Sequence, residues 1–214
     1  MADDRYRAFP AFFFSRMDES PDGAFYRPTR LVTHIDDGAI AAVGQVYAEL
    51  GIDGSQAADR QVLDLMSSWV SHFITPPSQL SILGMNAAEL EANAAATERV
   101  VQDLNTDPAL PWLDASFDAV TCCVSVDYLV RPLEVFDEAH RVLRPGGLLV
   151  CTFSNRCFPT KAIRGWLQSD DEAHVAIVRA YFASTGPWAE VVGRLVTPVD
   201  APGDPLFAVW GRRA

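Results

Sequence analysis

Basic residues are scarce in this chain of 214 residues. There are 17 lysines and arginines against 28 aspartates and glutamates, which gives a formal net charge of −11. No run of lysine or arginine indicates a local basic patch. Binding to a phosphate backbone depends on clustered positive charge. We therefore expect no nucleic-acid partner.

Cysteines are also few, and their positions form no metal-binding pattern. The thiols are at positions 122, 123, 151 and 157, and no pair has the spacing of zinc ligands. Cys122 and Cys123 are adjacent within an apolar run, so strand geometry points their side chains to opposite faces. We expect no metal site and reduced, mostly buried thiols in a cytoplasmic protein.

Long hydrophobic runs are absent. The apolar stretch FPAFFF near the N-terminus is too short for a signal peptide or a membrane span. The apolar fraction of 49% nevertheless suits a globular domain. We expect a single domain over residues 1–214, with an N-terminal arm and helix in 1–55 and the core in 56–214. The aromatic-rich residues 1–35 form either a packed arm or a lid over a ligand pocket, and these interpretations are compatible.

Beyond the arm, apolar runs of strand length alternate with segments of helical period. Strands are expected over 61–66, 79–84, 117–124, 148–153, 190–196 and 205–211. Helices are expected over 36–50, 87–96, 132–143 and 170–184, with a turn at 145–147. The alternation predicts a mostly parallel sheet with helices on both faces. The last two strands lack an intervening helix, which predicts a closing hairpin and one antiparallel strand.

In such a sheet, ligands bind beyond the carboxyl ends of the strands. The segments expected at that edge are 67–72, 85–86, 103–105, 125–128 and 154–161. Any binding or catalytic residues are therefore sought among them.

Three motifs between residues 110 and 153 carry a resemblance. They are Leu110-Pro111, Asp114-Ala115-Ser116-Phe117-Asp118 and Arg141-Val142-Leu143-Arg144-Pro145-Gly146-Gly147. Their order and spacing resemble the ubiquinone-biosynthesis-like group of class I S-adenosylmethionine-dependent methyltransferases. The resemblance implies a Rossmann-like fold with a seven-stranded sheet, S-adenosylmethionine as cofactor, and in-line methyl transfer to a small molecule. It extends more weakly over residues 60–155 and the final hairpin, and not over residues 1–35.

The resemblance also implies a set of cofactor-binding residues: Asp64, Met66, Ser67, Ser68, Met85, Asn86, Asp103, Leu104 and Ser125. Two features depart from the family. The loop after the first strand, residues 66–72, has no glycine, and Asn86 stands where the family has an acid for the ribose hydroxyls. The chain is then either a subfamily with its own solution for the same cofactor or a lapsed methyltransferase that acts as a binding partner. A third hypothesis is other chemistry on the same fold.

Candidates for catalysis are His72, as a general base, and Tyr128, as a substrate contact. The simpler interpretations are a histidine bonded to backbone and a tyrosine that only packs. Arg156 and Lys161 suit an anionic substrate such as a carboxylate, unless their loop is capped by its own side chains.

Tyr26 and Arg30 in the arm are expected to close over the substrate, with surface charge as the alternative. The sequence indicates neither the acceptor atom nor the oligomeric state.

Overall fold

The protein is described by a computed structural model that covers residues 3–56, 59–200 and 202–214. Seven strands form one sheet in the order β3-β2-β1-β4-β5-β7-β6. They are β1 (Gln61–Leu65), β2 (Gln79–Gly84), β3 (Glu98–Val101), β4 (Phe117–Cys123), β5 (Leu143–Ser154), β6 (Trp188–Leu195) and β7 (Leu206–Arg213). Only β7 runs antiparallel, to β5 and β6, in the described sheet. The predicted fold class is confirmed.

The helices are α1 (Asp22–Phe25), α2 (Asp37–Glu49), α3 (Ala87–Ala92), α4 (Pro132–Val142), α5 (Arg164–Leu167) and α6 (Asp171–Ala183). Side-chain caps explain where the predicted helices begin. Asp36 accepts the N–H of Ala39 at 2.9 Å, and Asp170 accepts that of Ala173 at 2.9 Å. In the part of the chain that the structure describes, no helix is both long and apolar enough to cross a membrane.

The sheet separates two hydrophobic cores. Phe136 of α4 and Phe182 of α6 pack on one face, whereas Tyr47 of α2 packs on the other. Cys122 belongs to the first core and Cys123 lies against the second, as their alternation along β4 predicts. Burial of each large apolar side chain contributes about 1.5–3 kcal/mol to folding. The helical layers thus cover both faces of the sheet and leave its edge of strand ends to the loops.

The start of β5 differs from the prediction of a separate turn at 145–147. β5 begins at Leu143 and runs through this segment, with Phe117 opposite Leu143 and Ala119 opposite Leu148. The extra residues are absorbed as an irregularity in the pairing with β4, and Gly146 supplies a φ of +79°. The predicted boundary was therefore wrong, because a bulge and a turn use the same glycines.

A buried ion cluster anchors the N-terminal arm. Asp22 receives two hydrogen bonds from Arg16 at 2.7 Å and lies 3.1 Å from the ammonium of Lys161. Lys161 is fully buried and also pairs with Asp18 at 3.0 Å. The amide of Asn105 donates to Asp22 at 2.9 Å. The arm is thereby fixed against the core near α1.

The first part of the arm packs by aromatic contacts. Phe9 and Phe14 lie 5.9 Å and 6.2 Å from the ring of Tyr181, and Phe13 contacts both of them. Phe12 points outward and is 74% exposed. A partner-binding interpretation would require an apolar patch around these phenylalanines, but most of them are turned inward.

Candidate functional site

A cavity of about 340 Å³ opens at the carboxyl ends of the parallel strands. This volume falls within the range of small-molecule sites, roughly 300–1,000 Å³. Each of the segments expected at this edge contributes to its lining, through residues that include Ser67, Met85, Asp103, Ser125 and Arg156. The topology alone therefore brings these predicted residues together.

The loop after β1 is held by a buried carboxylate. Asp64 accepts the hydroxyl protons of Ser67 at 2.6 Å and Thr121 at 2.7 Å. Burial raises the pKa of Asp64, while the hydroxyl hydrogen bonds oppose that shift. Asp64, which is predicted to bind a cofactor, lines the cavity, and its two oxygens each accept a protein hydroxyl, so that it also positions Ser67.

The same loop adopts glycine-like backbone angles without glycine. Met66 has a φ of +53°, and His72 also has a φ of +53°. Side chains with a Cβ rarely occupy this left-handed region, which costs about 1–2 kcal/mol per residue. The sequence has therefore kept a strained turn beside the cavity, and such strain is typical of functional loops.

The loop crosses directly over the end of β2. The N–H of Ser67 donates to the carbonyl of Leu83 at 2.8 Å. A Cβ at Gly84 would collide with the backbone oxygen of Ser67 and would lie 3.0 Å from Leu90. Only glycine permits this approach.

Replacing Gly84 by alanine should therefore lower the free energy of unfolding by about 1–3 kcal/mol, because the loop has to move. Denaturant unfolding measures this change. Gly23→Ala is the matched control, since no atom lies within 4 Å of the new Cβ. Equal stability of the two variants would show that the loop yields freely.

Asn86, which is predicted to bind the cofactor, lines the cavity and also bonds to the protein on both sides of its amide. Its side-chain oxygen caps α3 by accepting the N–H groups of Ala88 and Glu89 at 3.0 and 3.2 Å. Its amide donates to the carbonyls of Tyr26 and Arg27 at 2.9 and 3.2 Å. Both ends of the amide are thus engaged with the protein, and the contact with a ribose stays a prediction.

Glu89, one turn further along α3, brings a carboxylate to the cavity. It accepts the hydroxyl of Ser68 at 2.7 Å and the backbone N–H of Arg30 at 2.7 Å. Asn93 supports the loop from below, donating to the carbonyl of Ser68 and the hydroxyl of Ser71 at 3.0 Å each. The two donors to Glu89 come from the loop after β1 and from the arm, so Glu89 joins these two segments.

Asp103 and Leu104 lie across the cavity, after β3. Asp103 accepts the N–H of Asn105 at 3.0 Å and the hydroxyl of Thr106 at 2.8 Å. Leu104 is 3% exposed and gives an apolar wall. Ser125, also in the lining, donates to the carbonyl of Cys123 at 2.9 Å. An acid beside an apolar wall suits a flat ring that bears an amino group.

The second part of the arm forms the roof. Tyr26, Arg30 and the segment 32–35 line the cavity. The indole N–H of Trp69 donates to the carbonyl of Val32 at 3.0 Å, which ties the roof to the loop after β1. Trp69 and His72 stand at the wall and leave the cavity open. A lapsed site filled by these two side chains is not what the structure shows.

Two histidines and two tyrosines line the cavity as possible proton-transfer groups: His34, His72, Tyr26 and Tyr128. Burial lowers the pKa of His72 and is also the largest cause of the lowered pKa of His34. Both imidazoles are therefore neutral at pH 7 and able to accept a proton. Burial raises the pKa of Tyr128, whose hydroxyl accepts the N–H of Phe158 at 2.8 Å. Tyr128 is thus a hydrogen-bond donor rather than a base.

The two cations predicted after β5 occupy different environments. Arg156 lines the cavity rim but pairs with Asp204 at 2.9 Å and is largely exposed. The prediction for Lys161 was wrong, because Lys161 is not among the described residues that line the cavity. Its ammonium is buried instead in the ion cluster with Asp18 and Asp22. Its charge holds the arm and is not presented to a ligand.

Sequence reasoning did not single out Glu89 or Asn93, and it included Phe158 only as part of the segment 154–161. For Glu89 a signal existed: Asn86 followed three residues later by an acid is a helix-start pattern, which orients that acid toward the strand end. The others lie in irregular segments, where neither period nor spacing indicates direction.

Part of the chain is similar in sequence to known methyltransferases. Residues 67–151 match the family described as methyltransferase domain. The ubiquinone/menaquinone biosynthesis C-methyltransferase UbiE of Ruegeria sp. (strain TM1040) is 40% identical over 72 residues, 33% of this chain and 28% of that relative. The matched region therefore spans less than a third of the relative's length.

Two solved structures share the fold. A SAM-dependent methyltransferase from Aquifex aeolicus has a TM-score of 0.57 at 15% identity, covering 84% of this chain and 95% of its own. The [4+2]-cyclase SpnF also has a TM-score of 0.57, at 14% identity over 90% of each chain. Similarity at this level concerns the fold, and one fold hosts several chemistries.

Proposed function

We propose that the cavity binds S-adenosylmethionine and that the protein methylates a small molecule, because the chain carries a class I S-adenosylmethionine-dependent methyltransferase domain. The observation that supports this most is the cavity itself. It lies at the carboxyl edge of the sheet, is lined by two carboxylates, Glu89 and Asp103, and is roofed by the arm.

The lining residues fit the parts of this cofactor. Glu89 offers a carboxylate for the ribose hydroxyls in place of the acid that Asn86 replaces. Asp103 offers one for the adenine amino group, with Leu104 and Met85 against the ring. The strained turn at Met66 and the glycine at Gly84 let backbone pass close to the ligand. Glycine in the loop itself is then unnecessary, because the turn already has the required angles.

The cofactor supplies an electrophilic methyl group when bound, so the protein has to orient the acceptor and exclude water. The roof residues Tyr26 and Arg30 close the acceptor side. His72, kept neutral by burial, is the residue we propose to take a proton from the acceptor, and Tyr128 to hold the acceptor by its hydroxyl.

Calorimetric titration with S-adenosylmethionine and S-adenosylhomocysteine tests the proposal. We expect binding of both, and a loss of about tenfold or more in affinity for Asp103→Ala and for Glu89→Gln. Each substitution removes a charged acceptor from the cavity.

Asp107→Ala is the matched control, because Asp107 is an exposed acid four positions from Asp103 that does not line the cavity as described. Its affinity should stay within about twofold of the unmodified protein. Absence of binding to either ligand would overturn the proposal. Binding without methyl transfer to any acceptor would instead support other chemistry on this fold, as SpnF illustrates for its own reaction.

A further inference from the structure

Aromatic rings surround one part of the cavity roof. Phe158 lies at the centre, with its ring centroid 5.3 Å from Phe25, 5.1 Å from His34 and 5.9 Å from Tyr128. We call the lining part of this region, Tyr26, Arg30, His34, Tyr128 and Phe158, the aromatic subsite. Aromatic side chains that line a cavity pack favourably against a flat aromatic ligand in offset-stacked or edge-on arrangements.

The aromatic subsite contains a guanidinium without a counter-ion. The Cζ of Arg30 lies 5.0 Å from the ring centroid of Phe25 and 5.9 Å from that of Phe158. Its N–H groups donate to the carbonyls of Phe25 at 2.9 Å and Pro28 at 3.3 Å. Within residues 3–56, 59–200 and 202–214, Arg30 forms no ion pair with a carboxylate. Its remaining donors are available to an oxyanion.

The carboxylates that line the described cavity are engaged by protein groups, so they do not form an equivalent site for a cation. The charge of Asp22 is matched by Arg16 and Lys161. Asp64 is buried beneath hydroxyl groups. The two others, Glu89 and Asp103, accept N–H and O–H groups of the protein and lie on the side proposed for the cofactor.

The hydroxyl groups of the subsite add further donors. The oxygen of Tyr128 accepts a backbone N–H at 2.8 Å, which leaves its own proton to donate. Burial is the largest cause of the raised pKa of both Tyr26 and Tyr128, so both phenols stay protonated. A cation and two phenol donors together favour a bound anion.

We propose that the aromatic subsite binds an aryl carboxylate, with the ring against Phe158 and the carboxylate on Arg30. That such a ligand is the methyl acceptor rests on the proposed function; that it binds here does not. The inference follows from the joint presence of flat aromatic walls and one unpaired arginine.

Calorimetric titration of the full chain with benzoate and 2-naphthoate tests the inference, with and without S-adenosylhomocysteine. Cyclohexanecarboxylate keeps the charge without the aromatic ring, benzyl alcohol keeps the ring without the charge, and benzylamine reverses the charge. We expect the aryl carboxylates to bind about tenfold or more tightly than each comparison compound. Equal affinities across the series, or tighter binding of benzylamine, would overturn the inference.

Arg30→Gln and Phe158→Leu separate the two parts of the recognition. Arg30→Gln should lower the affinity for carboxylates about tenfold and leave the affinity for benzyl alcohol nearly unchanged. The second should remove the preference for 2-naphthoate over cyclohexanecarboxylate. Arg27→Gln is the matched control, because Arg27 is an exposed arginine of the same arm that does not line the cavity as described. An equal loss in Arg27→Gln and Arg30→Gln would contradict a specific role for Arg30.

The same samples distinguish this inference from the proposed function. Binding of S-adenosylhomocysteine without binding of aryl carboxylates would overturn the aromatic subsite alone. Binding of aryl carboxylates without S-adenosylhomocysteine would support the subsite and overturn the proposed cofactor. Thermal unfolding of each variant shows whether a lost affinity reflects a lost fold.

Discussion

Replacing Asp22 by alanine should lower the free energy of unfolding by about 3–5 kcal/mol, because it leaves two buried cations without their carboxylate. Lys161 is fully buried, and the side chain of Arg16 is 7% exposed. Lys161 keeps only Asp18, whose side chain is 36% exposed, as a charged partner. Denaturant unfolding at neutral pH measures the loss. Since Asp22 also lines the cavity, ligand affinity should fall with it.

Asp4→Ala is the control for this variant, because Asp4 pairs with Arg7 on the surface, with both side chains more than three-quarters exposed. It should change stability by less than about 0.5 kcal/mol. Burial by itself would raise the pKa of Asp22, but hydrogen bonds from Arg16, Asn105 and Lys161 outweigh it and hold the pKa below its usual value. The contribution of Asp22 is therefore present at neutral pH and lost as pH falls. A variant as stable as the control would show that the cluster is dispensable.

Asp127→Asn should stabilise the protein increasingly as pH rises. Asp127 follows β4, is 3% exposed, and its Oδ2 has no hydrogen-bond partner among the described residues. Burial raises its pKa to about 8. The folded protein therefore holds a proton that the unfolded chain has released above pH 4, so stability falls with pH until the folded group ionises.

The expected gain of the asparagine variant over the unmodified protein is near zero at pH 4 and grows by about 1.4 kcal/mol per pH unit toward pH 8. Urea unfolding at several pH values measures it, and other titrating groups cancel in the difference. Asp118→Asn provides a comparison, since Asp118 is partly exposed and paired with Arg144 at 2.7 Å. Parallel pH profiles for Asp127→Asn and the unmodified protein would show that Asp127 is ionised and solvated in the fold.

Local patterns predicted the layered fold and its ligand edge well, for a physical reason. Helices such as α2 and α6 show an apolar period and an aspartate cap, both of which act within a few residues. Strands β1 and β4 are buried along almost their whole length, so their sequences are mostly apolar and predict strands. The edge strand β3 is largely exposed and has no such signal.

The site was predicted in its position rather than in its contacts. Asp103 and Tyr128 reach the cavity because they follow strands, which topology determines. The partners of Asn86 and Lys161 are in the arm, and those pairings depend on how distant segments pack. A loop's composition does not contain that information. The glycine-free loop is the clearest example, since its positive φ angles and its contact with the end of β2 have no signal in its own residues.

The anchoring of the arm also bears on when the protein becomes competent during synthesis. Lys161 follows its partner Asp18 by 143 positions along the chain. The ribosome therefore releases the arm first, yet the ion cluster that anchors the arm is incomplete until β5 and the segment beyond it have emerged. Closing so long a loop is a late event in folding. We expect a nascent chain to build its sheet with an open ligand edge and to gain binding only near the end of translation.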